Sequence, residues 1–490
     1  MSSSTIRLFR LGSAPKHIEQ VLATLAVSLG PFACGLSKGY TSPALASLQL
    51  IRNSDFTVSP QEGSWIASLS VLGAFVGGPF GGFFMKFGRK RVLLSVCVPF
   101  SFCWLLTVFA NSVKVLYCAA FLCGFFSAII LLVTHVYISE IATPSIRGRL
   151  GAAVKLSSHL GLLASYCLGA YLDWRRLAMV ITAAPLMFLI AAFNVPETPS
   201  CLILHGREDS AEKSLQWLRG MNSDISEELS TIQANVRRQC QKTTITNRAF
   251  MKRRLIHPLA ITCGVMAFQR LCGAHAFSFY AAPLFSTTFN DINPHSAAVV
   301  VGIVQLIGAT VSGMLVDIIG RLPLLVASSL FMSVALAAFG TYVYIDNTTL
   351  QVLSHKYIGT ELAKPLLKTE LYSRIPIQNS NLDWVPLMCV IVFMLAYSIG
   401  VGPISWLLVG ELFPLEYRNI GGAIATSVNY ACAFIGVKTF VDFQELLGTH
   451  GTFWMYSGIS ILGLIFILLF VPETRGRELA EMESRDIIHA

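Results

Sequence analysis

Apolar runs long enough to cross a bilayer recur along the whole chain, separated by short polar punctuation. They lie near 20–41, 64–85, 92–110, 115–138, 150–172, 177–195, 258–286, 297–316, 324–344, 385–410, 420–441 and 453–471. A hydrocarbon layer of ~30 Å needs roughly 20 apolar residues in a helix. Barrel strands would be shorter and would alternate apolar with polar positions. The pattern therefore predicts an all-α membrane protein with twelve transmembrane helices.

The punctuation is written twice in the same order. YISEIATPSIRG carries Glu140 and Arg147, and GELFPLEYR carries Glu411 and Arg418 at the same spacing. VPET follows an apolar run at 195–198 and again at 471–474. Such a repeat predicts two pseudo-symmetric six-helix bundles. The expected organisation is an N-terminal segment (1–19), a first bundle (20–195), an inter-bundle loop (196–257), a second bundle (258–471) and a tail (472–490). Within the long loop, AEKSLQWLRG (211–220) reads as helix.

Composition sharpens this picture. Only 13% of residues are charged and 54% are hydrophobic, against about 25% charged in soluble domains. The run from Val21 follows Arg7, Arg10 and Lys16 without a convincing cleavage site, and reads as the first span. If the N-terminus is inside, the inner segments hold 24 of the 36 lysines and arginines. Positive charge collects on the cytosolic side, so both termini are expected there. The net charge of +9 suits an anionic inner leaflet. No basic stripe with interleaved aromatics suggests a nucleic-acid partner. No GxxxxGK[ST] occurs, so no nucleotide partner is expected. The cysteines lie mostly within apolar runs and lack paired spacing, which predicts small core residues and no metal or cofactor. Asn347-Thr348-Thr349, in the long outer loop, is a candidate glycosylation acceptor.

Charged residues at the span ends form a second constellation. GGFFMKFGRKR (81–91) brings Arg89 and Lys90, and VDIIGR (316–321) brings Asp317 and Arg321. Glu140, Glu197, Glu411 and Glu473 stand at inner ends, with Arg147 and Arg418 nearby in sequence. Together they read as a ring of ion pairs that must break for the inner face to open. The plainer alternative is a set of solvated flanking charges. Gly77, Gly78, Gly81 and Gly82 suggest a close-packing helix face.

As an ordered set, GRK (88–90), Glu140 to Gly148, PET (196–198), Asp317 with Gly320-Arg321, GPISW (402–406), Glu411 with Arg418 and VPETRGR (471–477) are specific. The chain resembles the sugar porters of the major facilitator superfamily over nearly its whole length. YTSPAL (40–45), YLDW (171–174), LQWLRG (215–220) and GTHGTFWM (448–455) look like the insect facilitated trehalose transporters in particular. The resemblance implies two bundles around a central site open to each side in turn, and a single chain as the working unit. Met85, Leu322 and Ser200 depart from the family pattern, which removes part of its inner charge network.

The resemblance also implies a binding site. The seventh-span pattern QQLSGIN reads QRLCGAH here, so Gln269 is kept while Arg270 and His275 replace Gln and Asn. Lys155 occupies a position that is often Gln, and Gln305 one where Asn is common. Trp406 and Asn429 are kept. Neutral amides suit hydroxyls because they donate and accept. A tryptophan face suits the C–H face of a sugar ring, although Trp406 can also be plain core.

A charge in mid-membrane costs about 2.5–3.5 kcal/mol on insertion scales and commonly faces a wet cavity or a partner. Lys155 and Arg270 therefore suggest a basic pocket for an anionic or very polar substrate. Alternatively Lys155 is turned away, and Arg270 bonds backbone carbonyls where the seventh span unwinds near Gly273. His275 is either a proton relay or a hydrogen-bonding donor. In proton-coupled relatives an Asp follows the GY of the first span; here Thr41 follows Gly39-Tyr40, and no acid lies mid-span in spans 1, 4, 7 and 10. The expected function is facilitative uniport of trehalose or a hexose such as glucose across the plasma membrane, with no enzymatic activity. An organic-anion carrier and a transport-deficient sugar sensor are the alternatives.

Overall fold

The computed structural model describes residues 18–50, 58–220, 223–242, 253–288, 294–358, 384–413 and 418–474. The described residues are nearly all helical. Six helices form the first bundle: α1 (Ile18–Leu50), α2 (Pro60–Phe84), α3 (Arg89–Val108), α4 (Val113–Ile141), α5 (Arg147–Gly169) and α6 (Trp174–Phe193). Three short helices follow, α7 (Pro199–Leu204), α8 (Glu208–Arg219) and α9 (Ser226–Lys242). The helix expected at 211–220 is α8.

The second bundle has broken helices. Its seventh span is α10 (Arg253–Leu271) plus α11 (Ala274–Thr288), then α12 (Pro294–Ile319) and α13 (Arg321–Ile358). The tenth span is α14 (Val385–Ile399) plus α15 (Val401–Leu412). The last two spans run as α16 (Arg418–Phe470), turned at Gly448 with φ +71°. Twelve crossings result among the described residues. α13 continues well past the end expected at 344, so part of the expected outer loop is helical.

Local sequence explains several ends. Ser59 and Glu62 close a capping box on α2, with Ser59 N donating to Glu62 Oε2 at 2.9 Å and Glu62 N to Ser59 Oγ at 3.2 Å. Pro60 takes the first helical position, where no N–H is needed. Inside the bundle, small residues set the distance between helices. A Cβ on Gly77 would lie 2.3 Å from the Phe125 carbonyl of α4. Gly77 and Gly81 share this packed face, whereas Gly78 and Gly82 have nothing within 4 Å. The four glycines thus form two faces, because residues four apart align and neighbours do not. Large apolar side chains such as Ile190 (68% exposed) and Leu469 (70% exposed) cover the outside, as lipid contact requires.

α7–α9 lie at the end of the molecule that also carries Arg89 and Arg147, here called the basic end. They are fastened to the first bundle. Arg219 of α8 donates to Ile141 O at the end of α4 (3.0 Å) and pairs with Glu228 of α9 (2.6 Å).

Candidate functional site

Two nearly identical clusters occupy the basic ends of the bundles. In the first, Arg89 donates from Nη2 to Glu140 Oε1 at 2.7 Å, and Glu197 accepts from the backbone amides of Arg89 and Lys90, each at 3.0 Å. Lys90 Nζ donates to Phe193 O at 2.9 Å. In the second, Arg321 Nη2 reaches Glu411 Oε1 at 2.9 Å, and Glu473 accepts from the amides of Arg321 (3.1 Å) and Leu322 (2.9 Å). Thr474 Oγ1 donates to the second oxygen of Glu411 at 2.5 Å. Gly88 (φ +120°) and Gly320 (φ +110°) precede the two arginines and bring the chain against Glu197 and Glu473. These pairs each join helices of one bundle. Arg147 turns to Ala142 O of its own bundle at 3.4 Å. The side chains of Asp317 and Arg418, like that of Asn347, lie outside the described residues. Among the described residues no ring across the two bundles is formed.

The bundles meet at the opposite end. Gln61 Nε2 of α2 donates to Asp442 Oδ1 of α16 at 2.9 Å, and Lys438 Nζ donates to Gln61 Oε1 at 3.3 Å. Lys438 also lies over the Trp65 ring at 5.2 Å. Nearer the middle, Ala282 N of α11 donates to Ser42 Oγ of α1 (2.9 Å), and Tyr166 OH of α5 donates to Ser278 O of α11 (2.6 Å). Toward the basic end the contact gives way. Lys155 is reached by solvent yet densely surrounded by protein, the combination expected in a cleft and not on an outer wall. It shares one helical stripe with His159 and Tyr166. The described hydrogen bonds between the bundles thus lie at the end opposite the basic end and nearer the middle.

Two spans of the second bundle are broken at glycines. α10 stops at Gly273, whose φ of +88° suits glycine. A Cβ there would also meet the Tyr456 ring at 2.8 Å. The tenth span breaks at Gly400, where a Cβ would lie 2.3 Å from Ser328 Cβ. The freed backbone groups find side chains, as they must in lipid. Ser312 Oγ donates to Ile399 O (2.7 Å), Val401 N to Ser328 Oγ (3.2 Å), and Gln269 Nε2 to Gly402 O (2.6 Å) and Val401 O (3.3 Å).

Gln269 is thus committed. Its Oε1 accepts from Asn429 Nδ2 at 2.7 Å, and Asn429 Oδ1 accepts from Arg270 Nε at 2.7 Å. The three side chains brace α10, α15 and α16. Arg270 meets an amide here and not the carbonyls of the unwound turn. Gln305 donates to Ser278 Oγ at 3.2 Å. His275 is 7% exposed, and both ring nitrogens lack a partner. Trp406 is half-buried, about two turns past the Gly400 break, with no described hydrogen bond or ring contact. Sequence reasoning missed Lys38 of α1, Ser42, His159 and Tyr166. Lys38 carried a readable signal, a charge inside an apolar run.

A model of the family described as sugar (and other) transporters matches residues 22–485. The chain belongs to this sugar transporter family. Among its relatives are the facilitated trehalose transporters Tret1 of Drosophila mojavensis and of Polypedilum vanderplanki, each 35% identical over 98% of this chain. The chain spans about half (53%) of the length of the first and 90% of the second. Its fold is that of solved major facilitator proteins. The inward-open xylose transporter XylE from E. coli superposes with a TM-score of 0.73 at 20% identity, covering 94% of this chain and 98% of that one. XylE bound to 6-bromo-6-deoxy-D-glucose superposes with a TM-score of 0.71 at 22% identity, covering 95% and 98%. The chain is therefore a multi-pass membrane protein built as two six-helix bundles.

Proposed function

We propose that this sugar transporter family member is a passive carrier of a sugar, trehalose or a hexose such as glucose, working by alternating access in the plasma membrane. The basic end faces the cytosol, with both termini there, and one chain is the working unit. The observation that carries this reading is an asymmetry: the bundles are bonded through Gln61–Asp442 at one end and through Ser42–Ala282 and Tyr166–Ser278 nearer the middle, and Lys155 is reached by solvent toward the basic end. This asymmetry supports reading the present state as inward-facing. The outward-facing state follows by breaking these contacts and bringing the basic ends together. Trp406 is the ring platform, and His275 and Gln305 are the groups with capacity left for hydroxyls. Gln269, Asn429 and Arg270 then act by bracing the broken helices, and join the substrate only if they exchange the bonds they now make.

The carrier has no built-in proton site of the usual kind. Among the described residues, carboxylates of the membrane helices stand near the ends of the crossings, and Thr41 follows Tyr40 in α1. Uniport down a gradient is the mechanism this favours. Counterflow of labelled trehalose and glucose in proteoliposomes tests it: trans-loaded sugar should accelerate entry with saturation. Entry of neither sugar, with preloading of no effect, would remove the assignment to these neutral sugars.

A further inference from the structure

One feature of the cleft is unlike a site for neutral sugars, and it refines the carrier reading on which it rests. Lys38 lies one turn from Ser42, whose hydroxyl meets Ala282 of the other bundle, so this face of α1 looks across the bundle interface. Lys155 and His159 lie on the α5 stripe that ends in the Tyr166–Ser278 bond. Lys38 is close enough to Arg270 for their charges to interact, His159 to both lysines, and His275 to Lys38 and Arg270. These cationic and imidazole groups come from α1, α5 and the two halves of the broken seventh span. No described acid stands opposite them. Described carboxylates lie near the basic ends, as Glu140 and Glu411 do, or at the far end, as Glu62 and Asp442 do. Neither Lys38 nor Lys155 has a described hydrogen bond or ion pair, and buried His275 offers two free ring nitrogens.

An ammonium group has three donors and no acceptor. Sugar hydroxyls can fill its hydrogen bonds and leave its charge unbalanced in a low-dielectric wall. A carboxylate fills both. We propose that the cleft selects a sugar acid, a hexose-sized polyol bearing one carboxylate, with Lys38 and Lys155 facing the carboxylate and His275 the hydroxyls. The substrate is then the counter-ion that the cleft lacks.

The test compares D-glucuronate with D-glucose, which differ only in a carboxylate for a hydroxymethyl at C6. The full chain is reconstituted in proteoliposomes, and entry of each labelled compound is measured with transported charge. D-Glucuronate should enter with kcat/KM at least tenfold above D-glucose and should carry current, whereas D-glucose carries none. Lys38→Gln and Lys155→Gln should each lower the glucuronate-to-glucose ratio tenfold or more. Saturable D-glucose entry without D-glucuronate entry overturns the proposal and leaves the carrier standing. Entry of neither, with no stabilisation of the purified protein by either compound in a melting assay, removes both. An unaltered ratio in both lysine variants overturns the role of the lysines.

Discussion

Gly88 and Gly320 show most plainly what single positions contribute. Each holds a left-handed φ, and each would place a Cβ against a carboxylate, 2.7 Å from Glu197 Oε2 and 3.0 Å from Glu473 Oε2. The left-handed conformation alone costs a non-glycine residue about 1–2 kcal/mol, and the carboxylate must also leave two backbone amides. Gly88→Ala should therefore lower the thermal midpoint in detergent by an amount equivalent to about 1–3 kcal/mol. Gly82→Ala is the control, since nothing lies within 4 Å of its Cβ position. There a helical glycine becomes alanine, and stability should hold or rise by about 0.5–1 kcal/mol. Equal losses at both positions would refute the role assigned to Gly88.

At the scale of elements, the two broken helices depend on one amide. Gln269 is 1% exposed and holds the carbonyls of Val401 and Gly402 on one side and Asn429 on the other. Each buried polar group left unsatisfied costs about 1–3 kcal/mol. Gln269→Leu should melt the protein at lower temperature and reduce counterflow of the transported sugar at least tenfold, because the α14–α15 break loses its anchor. A Gln269→Leu protein with wild-type melting and transport would show that the bonds are incidental. The matched clusters around Glu197 and Glu473 behave differently. They hold each bundle together, so Glu140→Gln should reduce stability rather than simply unlock the basic end. Arg89 and Glu140 are only 13% and 17% exposed, and losing the charge of one partner leaves the other poorly compensated. Thermal melting of Glu140→Gln should show this loss; an unchanged midpoint with faster counterflow would instead assign the pair to the gate.

The whole molecule is held in its present state by a few contacts at the end opposite α7–α9. Hydrogen bonds of this kind contribute about 0.5–1.5 kcal/mol each, less where solvent screens them. Replacing Gln61 by Ala or Tyr166 by Phe should therefore shift the population two- to tenfold away from the present state. Distances between spin labels at the start of α2 and beside the Gly448 turn of α16 would report the shift as a growing long-distance fraction. No change in that fraction in either variant would place the closing energy elsewhere. The placement of acids carries a second expectation at this scale. With no described carboxylate in the middle of a membrane crossing, acidifying only the outside should leave the rate of uptake nearly unchanged. A steep rise would establish proton coupling.

The sequence by itself determined the membrane-embedded helical class and the twofold repeat, and it marked Gly273 as a place where the seventh span can unwind. These are local matters: apolar length, recurring end motifs, and glycine where the chain must turn or pack closely. It also exposed Lys155 and Arg270 as charges in expensive places. What it left undecided is rotation and partnership. A helix in lipid is apolar on most of its circumference, so its pattern says little about which face meets the other bundle. Only the packed structure turned Lys38 and Lys155 toward the interface, committed Gln269 and Asn429 to bracing, and kept the Arg89–Glu140 and Arg321–Glu411 pairs within their own bundles. Each of those outcomes depends on residues far apart in the chain, and close packing alone brings them within a hydrogen-bond length.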